Sequence, residues 1–520
     1  MKKLQRRDFL KFAGGVTLSS FVIPDELLAG DDKEIDDFKV MVVVDMMGGN
    51  DALNMFIPAD NRAGITTGYE TYANNRTSDI RVKDENLMDS LRSKVDNNGY
   101  LALGGGSDNP YYANRSIKES YKKGFYLLDR NGFDSKVAIN PMMPELAYWL
   151  DRGKGAIIQN VGVIAEPATK DELKSKVKPR PPFIFAHDAQ NTLMATGQAS
   201  SVTVPTGWLG RLADEWKGLN GGSGVYKMNI NLSPFGQFKM FFGNKTLPMT
   251  IGVHGPSKYG NLKVGLHKEM ASLSSNEGIF SSLYGKLKTD VLNQVQETVD
   301  DWKGVSRNND IFAGLTDSYG NSFYSSKTGK IQLPNQTILG FSEELRPTQV
   351  EYFTTAARLI EIGKRKGFKR MVIAIAVGGY DNHAYQSGTH SKAIRGVSLG
   401  IDRFMRSMES LGLIDNVTLF TVSEFARSAS SNKDGTDHAW GGAYVALGGA
   451  VKSGNYGEFP DLTLQGEQDY GSRGLFVPTT SFTQYYATLL KWFGADDRVL
   501  DIALPELKNF KVKDLGFMKS

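Results

Sequence analysis

Three short groups in the last third of this 520-residue chain set acid and imidazole side chains beside glycine. They are Gly378-Gly379-Tyr380-Asp381-Asn382-His383, Ser423-Glu424-Phe425-Ala426-Arg427 and Asp437-His438-Ala439-Trp440-Gly441-Gly442. The chain has six histidines, and two of them fall in these groups. Asp381, His383, Glu424, Asp437 and His438 are donor types suited to a divalent cation such as zinc, manganese or calcium. A lone Asp-x-His reads more simply as a turn aspartate and a surface histidine, but two further acid-bearing groups shift the balance toward a site. Glu424 ends an apolar run, where a carboxylate needs a cation beside it. Arg427 either supplies that charge or clamps an anionic substrate, since guanidinium binds phosphate and sulfate through two parallel hydrogen bonds. Asp437 either turns the chain or orients His438 as a ligating imidazole.

Two earlier segments add candidates. Asp45 and Asp51 flank Gly48-Gly49 after an apolar run; either carboxylate could complete a metal site, or both are ordinary turn residues. His187-Asp188 opens a short helix, which sets an imidazole near a helix N-terminus where anions bind. Asp188 as an N-cap explains the same pair. His254, His267 and His390 lack such company and read as structural or solvent-exposed.

The elements that must position these groups are legible from periodicity. Apolar runs at 371–377 and 417–422 read as buried parallel strands, and in open α/β sheets ligands gather where such strands end. Residues 38–44 give a first central strand, and 156–161 and 444–447 give further ones. Helices are expected over 141–150, 189–196, 352–366 and 484–493. Another carries Ile394, Val397, Ile401, Phe404, Met408 and Leu411 on one apolar face, a core stripe. Residues 428–435 read as a polar loop. The stretch 216–347 is least regular and is expected to be a cap or insertion; its aromatic residues suggest a carbohydrate-binding surface. The fold class is therefore α/β, with a central mostly parallel sheet and helices on both faces.

Composition bounds the rest. Hydrophobic residues make up 40% and charged residues 23%, ordinary for a globular protein. The formal net charge is +4, and the first thirty residues, with five basic and three acidic side chains, contribute half of it. The remainder is too small to imply nucleic acid as a partner. No cysteine is present, which excludes disulfides, thiolate zinc sites and cysteine nucleophiles.

Gln5-Arg6-Arg7-Asp8-Phe9-Leu10-Lys11 resembles the twin-arginine export signal, with Arg6 and Arg7 as its pair and residues 12–23 as its apolar segment. That segment is too short and polar to span a membrane. Residues 1–30 are thus expected to be a signal, cleaved near Ala29, and 38–520 the mature α/β domain, with no membrane span, in the periplasm or outside the cell.

The chain also resembles a bacterial family, domain of unknown function 1501. The resemblance rests on Gly48-Gly49-Asn50-Asp51-Ala52-Leu53-Asn54, Phe185-Ala186-His187-Asp188-Ala189-Gln190, Gly207-Trp208-Leu209-Gly210-Arg211-Leu212-Ala213-Asp214 and the three C-terminal groups. That family is grouped with the alkaline phosphatase superfamily, which includes phosphatases and sulfatases. The resemblance implies an alkaline-phosphatase-like sheet and the ligands Asp381, His383, Glu424 and His438, completed by Asp45 or Asp51. It differs in having Glu424-Phe425 where superfamily enzymes commonly have Asp-His. His187 stands near the expected nucleophile position, ahead of Ala195-Thr196-Gly197.

The expected function is a metal-dependent hydrolase of phosphate or sulfate esters, acting on an anionic small molecule or polysaccharide. His187 would attack or assist, and Arg427 or Arg211 would hold the anion. The alternative is a non-catalytic exported scaffold that keeps a phosphatase-like core and works with a co-encoded exported partner.

Overall fold

Lys39–Met47 (β1) is a run of β-branched and apolar residues whose interior positions are all buried. Continuous burial means both faces of the strand are covered, as in the middle of an α/β sheet. β1 pairs in parallel with Arg370–Gly378 on one side and with Val417–Val422 on the other. These are the two strands expected from the apolar runs.

The structure is a computed structural model that describes residues 35–103, 116–220, 228–232, 238–256, 297–305, 314–323 and 347–519. The twin-arginine segment and most of the expected insertion lie outside the described residues. Residues from Phe38 onward form one compact unit. We number the elements used below as α1 (Pro144–Asp151), β2 (Gly155–Gly162), α2 (His187–Thr196), α3 (Pro347–Arg365), β3 (Arg370–Gly378), α4 (Gln386–Ser410), β4 (Val417–Val422), β5 (Arg427–Ser431), β6 (Thr436–His438), β7 (Gly442–Leu447) and α5 (Phe482–Phe493).

Among the described residues, nine strands make the main sheet, and the central run is β2–β7–β4–β1–β3. β7 is antiparallel to both its neighbours, whereas β1, β3 and β4 are mutually parallel. Asn229–Asn231 and Met249–Thr250 extend the far edge in parallel beyond β3. Part of the stretch expected as an insertion therefore continues the sheet; strands of two or three residues leave too little periodicity to be read.

Successive residues of β3 identify the two layers, because neighbours on a strand point to opposite faces. A side chain at Gly363 of α3 would strike Met371, while Arg370 donates to Phe493 O at the end of α5. α3 therefore covers one face and α5 the other. α4 packs against α3, with Gly400 admitting the ring of Phe353. Of the polar stretch 428–435, expected to be a loop, residues 428–431 belong to β5, which pairs antiparallel with β6, and 432–435 form the turn between the two strands. The alternation of this stretch is hidden because Ser, Asn and Asp occupy it.

No helix among the described residues is long and apolar enough to cross a membrane.

Candidate metal centre

The parallel ends of β1, β3 and β4 bring their following loops to one place. β1 runs into Gly48-Gly49, and the Gly48 amide donates to Glu424 Oε1 at 2.9 Å, just past the end of β4. Both glycines have positive φ, +119° and +76°. A Cβ on Gly48 would lie 2.3 Å from the Asp381 nitrogen, and one on Gly49 2.3 Å from the Phe425 ring. This turn can pass between the other two loops only without side chains.

Three imidazoles and one carboxylate converge there. His187, Asp381 and His438 each offer a ligand atom, all within 4.8 Å of one another. His383 joins through Nε2, 3.0 Å from Nε2 of His438 and 3.2 Å from Oδ1 of Asp381. Nε2 of His187 lies 3.7 Å from Asp381 Oδ2, and Nε2 of His438 3.8 Å from Oδ1.

The other nitrogen of each ring is held by an acceptor. His187 Nδ1 meets Glu424 Oε1 at 2.7 Å, His383 Nδ1 meets Asp437 Oδ1 at 3.1 Å, and His438 Nδ1 meets the Phe185 carbonyl at 2.7 Å. Carboxylate and carbonyl oxygens only accept, so each Nδ1 donates, and Nε2 is the atom that presents a lone pair when the ring is neutral. The facing Nε2 atoms of His383 and His438, 3.0 Å apart, either share a proton or face a common cation. His187 Nε2 is enclosed and has no hydrogen-bond partner. Imidazoles anchored through Nδ1 with Nε2 converging form the arrangement that metal sites use.

The electrostatics divide the rings. The hydrogen bond to Glu424 raises the pKa of His187, against the downward pull of burial, and so favours its protonated form, whose Nε2 proton a bound cation would displace. Burial lowers that of His438, favouring its neutral form. Burial would raise Asp381, but the Arg427 guanidinium bonded to it keeps it below the usual carboxylate range. Around the cluster, three carboxylates (Asp381, Glu424, Asp437) face two guanidinium groups, Arg427 on Asp381 and Arg473 on Asp437. The Asp381 side chain is 52% exposed and that of His383 49%, so the cluster opens to solvent.

Several sequence expectations change roles. Glu424 and Asp437 hold imidazoles rather than joining the cluster. His187, expected as nucleophile or acid/base, contributes a ligand-type nitrogen beside Asp381. Arg427 does not neutralise Glu424 and is not free to clamp an anion. It donates to the carbonyls of Gly49 (2.9 Å), Gly48 (2.6 Å) and Thr436 (3.0 Å) as well as to Asp381. Arg211 lies apart from the site, donating to the carbonyls of Thr196, Thr206, Ile502 and Ala503, and burial pulls its pKa down to about 10.

Neither strand-one aspartate completes the set. Asp51 forms a buried double hydrogen bond to Arg76 at 2.6 and 2.9 Å, with Gln386 also on Oδ2. Burial alone would raise its pKa, yet Arg76 holds it down. Asp45 is 3% exposed, has no protein hydrogen-bond partner on either oxygen, and is pushed well up by burial and then by Glu424. His390 is structural as expected, bonded to Tyr121 and Asn50 in the interior. His254 lies against Glu351, and His267 is outside the described residues.

The sequence placed His187 in the same site as the C-terminal groups but as nucleophile or acid/base; what it missed was a ligand-type Nε2 beside Asp381 and His438. A usable signal was rarity, because half of the six histidines meet here.

A search of curated proteins gives no match. Among solved structures, similarity is found to Ps i-CgsB in complex with k-i-k-neocarrahexaose, at 10% identity and TM-score 0.31, covering 71% of each chain. Ps i-CgsB without that ligand matches at 10% identity and TM-score 0.28, again over 71% of each chain. Residues 343–498, which hold Asp381, His383, Glu424 and His438 but not His187, match the family described as Protein of unknown function (DUF1501).

Proposed function

We propose that this chain is a metal-dependent hydrolase of phosphate or sulfate esters, with a centre held by His187, His383, His438 and Asp381. The observation that carries the reading is that three imidazoles anchored through Nδ1 each bring Nε2 to within 3.8 Å of the Asp381 carboxylate. Three nitrogens and an oxygen suit zinc or manganese; calcium, which takes oxygen ligands, fits them worst. Such an ion supplies Lewis acidity toward an ester oxygen and lowers the pKa of water.

The chain's own residues do the rest. Glu424, Asp437 and the Phe185 carbonyl fix the three rings with Nε2 inward, so little reorganisation is needed when the centre fills. Arg427, buried behind Asp381, keeps that carboxylate ionised. The surrounding carboxylates exceed the guanidinium groups by one charge; a divalent ion reverses the sign and makes the open centre attractive to an anion. Phe425, buried beside His187 and His438 at ring distances of 4.8 and 4.6 Å, keeps water from one side. An exported location accompanies this reading, supported by Arg6-Arg7.

The test is metal analysis of the purified protein, followed by assay with para-nitrophenyl phosphate and sulfate with zinc or manganese present. Bound metal and turnover, both lost in His438→Ala, are expected. Stoichiometric metal without turnover would leave a binding centre and favour the scaffold with an exported partner; protein that takes up neither ion would overturn the centre.

A further inference from the structure

The loop from β3 to α4 carries Asp381 and His383 in its middle, and its two ends line a cavity of about 250 Å³. Gly378 and Gly379 form one wall; Tyr385, Gly388, Thr389, Lys392 and Ala393 form the other. It is smaller than a typical drug-sized pocket and has room for one sugar ring or a tetrahedral oxyanion.

Three observations give this cavity a chemistry. Lys392 lines it and makes no ion pair among the described residues. Lys118, equally unpaired there, sets its ammonium 3.8 Å from the centre of the Tyr385 ring. Tyr385 itself is held at φ +55°, a conformation rare for a large side chain, and is 48% exposed. Strained residues persist where the surroundings demand them, most often at ligand sites. Gly388 is what lets the ring lie against α4, since a Cβ there would come within 2.0 Å of it. The Tyr385 ring thus lines the cavity together with Lys392 and carries the Lys118 ammonium on its face.

We infer that this cavity is an anion subsite that takes a second sulfate or phosphate group of the same substrate, making the preferred substrate a polyanion such as a multiply sulfated or phosphorylated sugar. The inference rests on the hydrolase reading of the adjoining centre. Lys392 supplies a charge-assisted hydrogen bond and Thr389 a hydroxyl donor, while Lys118, held on the Tyr385 ring, adds positive charge nearby. The loop couples the two sites, because Asp381 follows Gly379 by two residues and Tyr385 follows His383 by two.

The experiment compares KM for glucose 1,6-bisphosphate and for glucose 6-phosphate in the metal-loaded full chain, with a calorimetric titration of heparin-derived trisulfated disaccharide alongside. The wild type should prefer the bisphosphate by roughly tenfold or more, the scale expected for hydrogen bonds to a charged group. Lys392→Glu should erase that preference, and Gly388→Ala, which displaces the Tyr385 ring while keeping it, should reduce it. Disaccharide binding that Lys392→Glu weakens identifies sulfate as the anion; bisphosphate preference without it identifies phosphate. An equal KM for both phosphates, together with disaccharide binding absent or unchanged in Lys392→Glu, overturns the subsite. If no ester is turned over at all, the hydrolase reading fails, and the titration alone still decides the subsite.

Discussion

The residue that best separates ligating from supporting roles is Glu424. It touches His187 Nδ1 and the Gly48 amide, not the converging Nε2 atoms. Glu424→Gln keeps an acceptor for both donors but removes the charge that makes the imidazole a stronger ligand. We expect metal affinity to fall by roughly 10- to 100-fold with the fold retained, measured by competition with a chromophoric chelator. Asp51→Asn should do the opposite. It leaves Arg76 buried with a weakened partner, at a cost approaching the ~3–5 kcal/mol of a broken buried pair. Metal bound per folded molecule should not change. Urea titration and metal analysis of the same samples read the two effects, and metal loss in Asp51→Asn would return that carboxylate to the centre.

At the scale of elements, the three parallel strands matter less for their cores than for where they stop. The Gly48-Gly49 turn is the piece on which the others close: its amide holds Glu424, its carbonyls hold Arg427, and its lack of side chains admits Asp381 and Phe425. Gly48→Ala would force a φ of +119° on a residue with a Cβ and drive that Cβ into the Asp381 backbone. The expected cost is about 1–3 kcal/mol, with weaker metal binding because the Asp381 loop must retreat. Thermal denaturation with and without zinc checks both; unchanged metal affinity would mean that the loop positions its ligands independently of the turn. What comes close to the bare turn is the protein itself, the Asp381 backbone at Gly48 and the Phe425 ring at Gly49.

For the whole molecule, the buried and unpartnered Asp45 leaves a signature in stability against pH. Its folded pKa is raised well above 3.8 by burial and by Glu424. Above the unfolded pKa the unfolded chain has released this proton while the native state still holds it. Asp45 therefore makes stability fall as pH rises from about 4 toward its native pKa. Asp45→Asn removes this component whatever it does to absolute stability. The slope of Tm against pH above 4 should become less negative in the variant, followed by calorimetry; an unchanged slope would mean that Asp45 is ionised in the native state.

The sequence by itself determined the central sheet. The runs 371–377 and 417–422 and the β-branched run after residue 38 became β3, β4 and β1, because uninterrupted apolar residues of strand length can be satisfied only by burial on both faces. It also pointed to Asp381 and His383, which follow β3, whereas His438 ends a short strand of the β5–β6 hairpin. Tertiary structure alone decided their division of labour. A carboxylate beside a histidine reads the same in sequence whether it faces a cation or grips the far side of the ring, so Glu424 and Asp437 looked like ligands. His187 enters from a helix that no local pattern ties to the C-terminal loops. Which nitrogen faces inward is fixed by an acceptor on the opposite nitrogen, and for His438 that acceptor is a backbone carbonyl of Phe185, which no side-chain motif records.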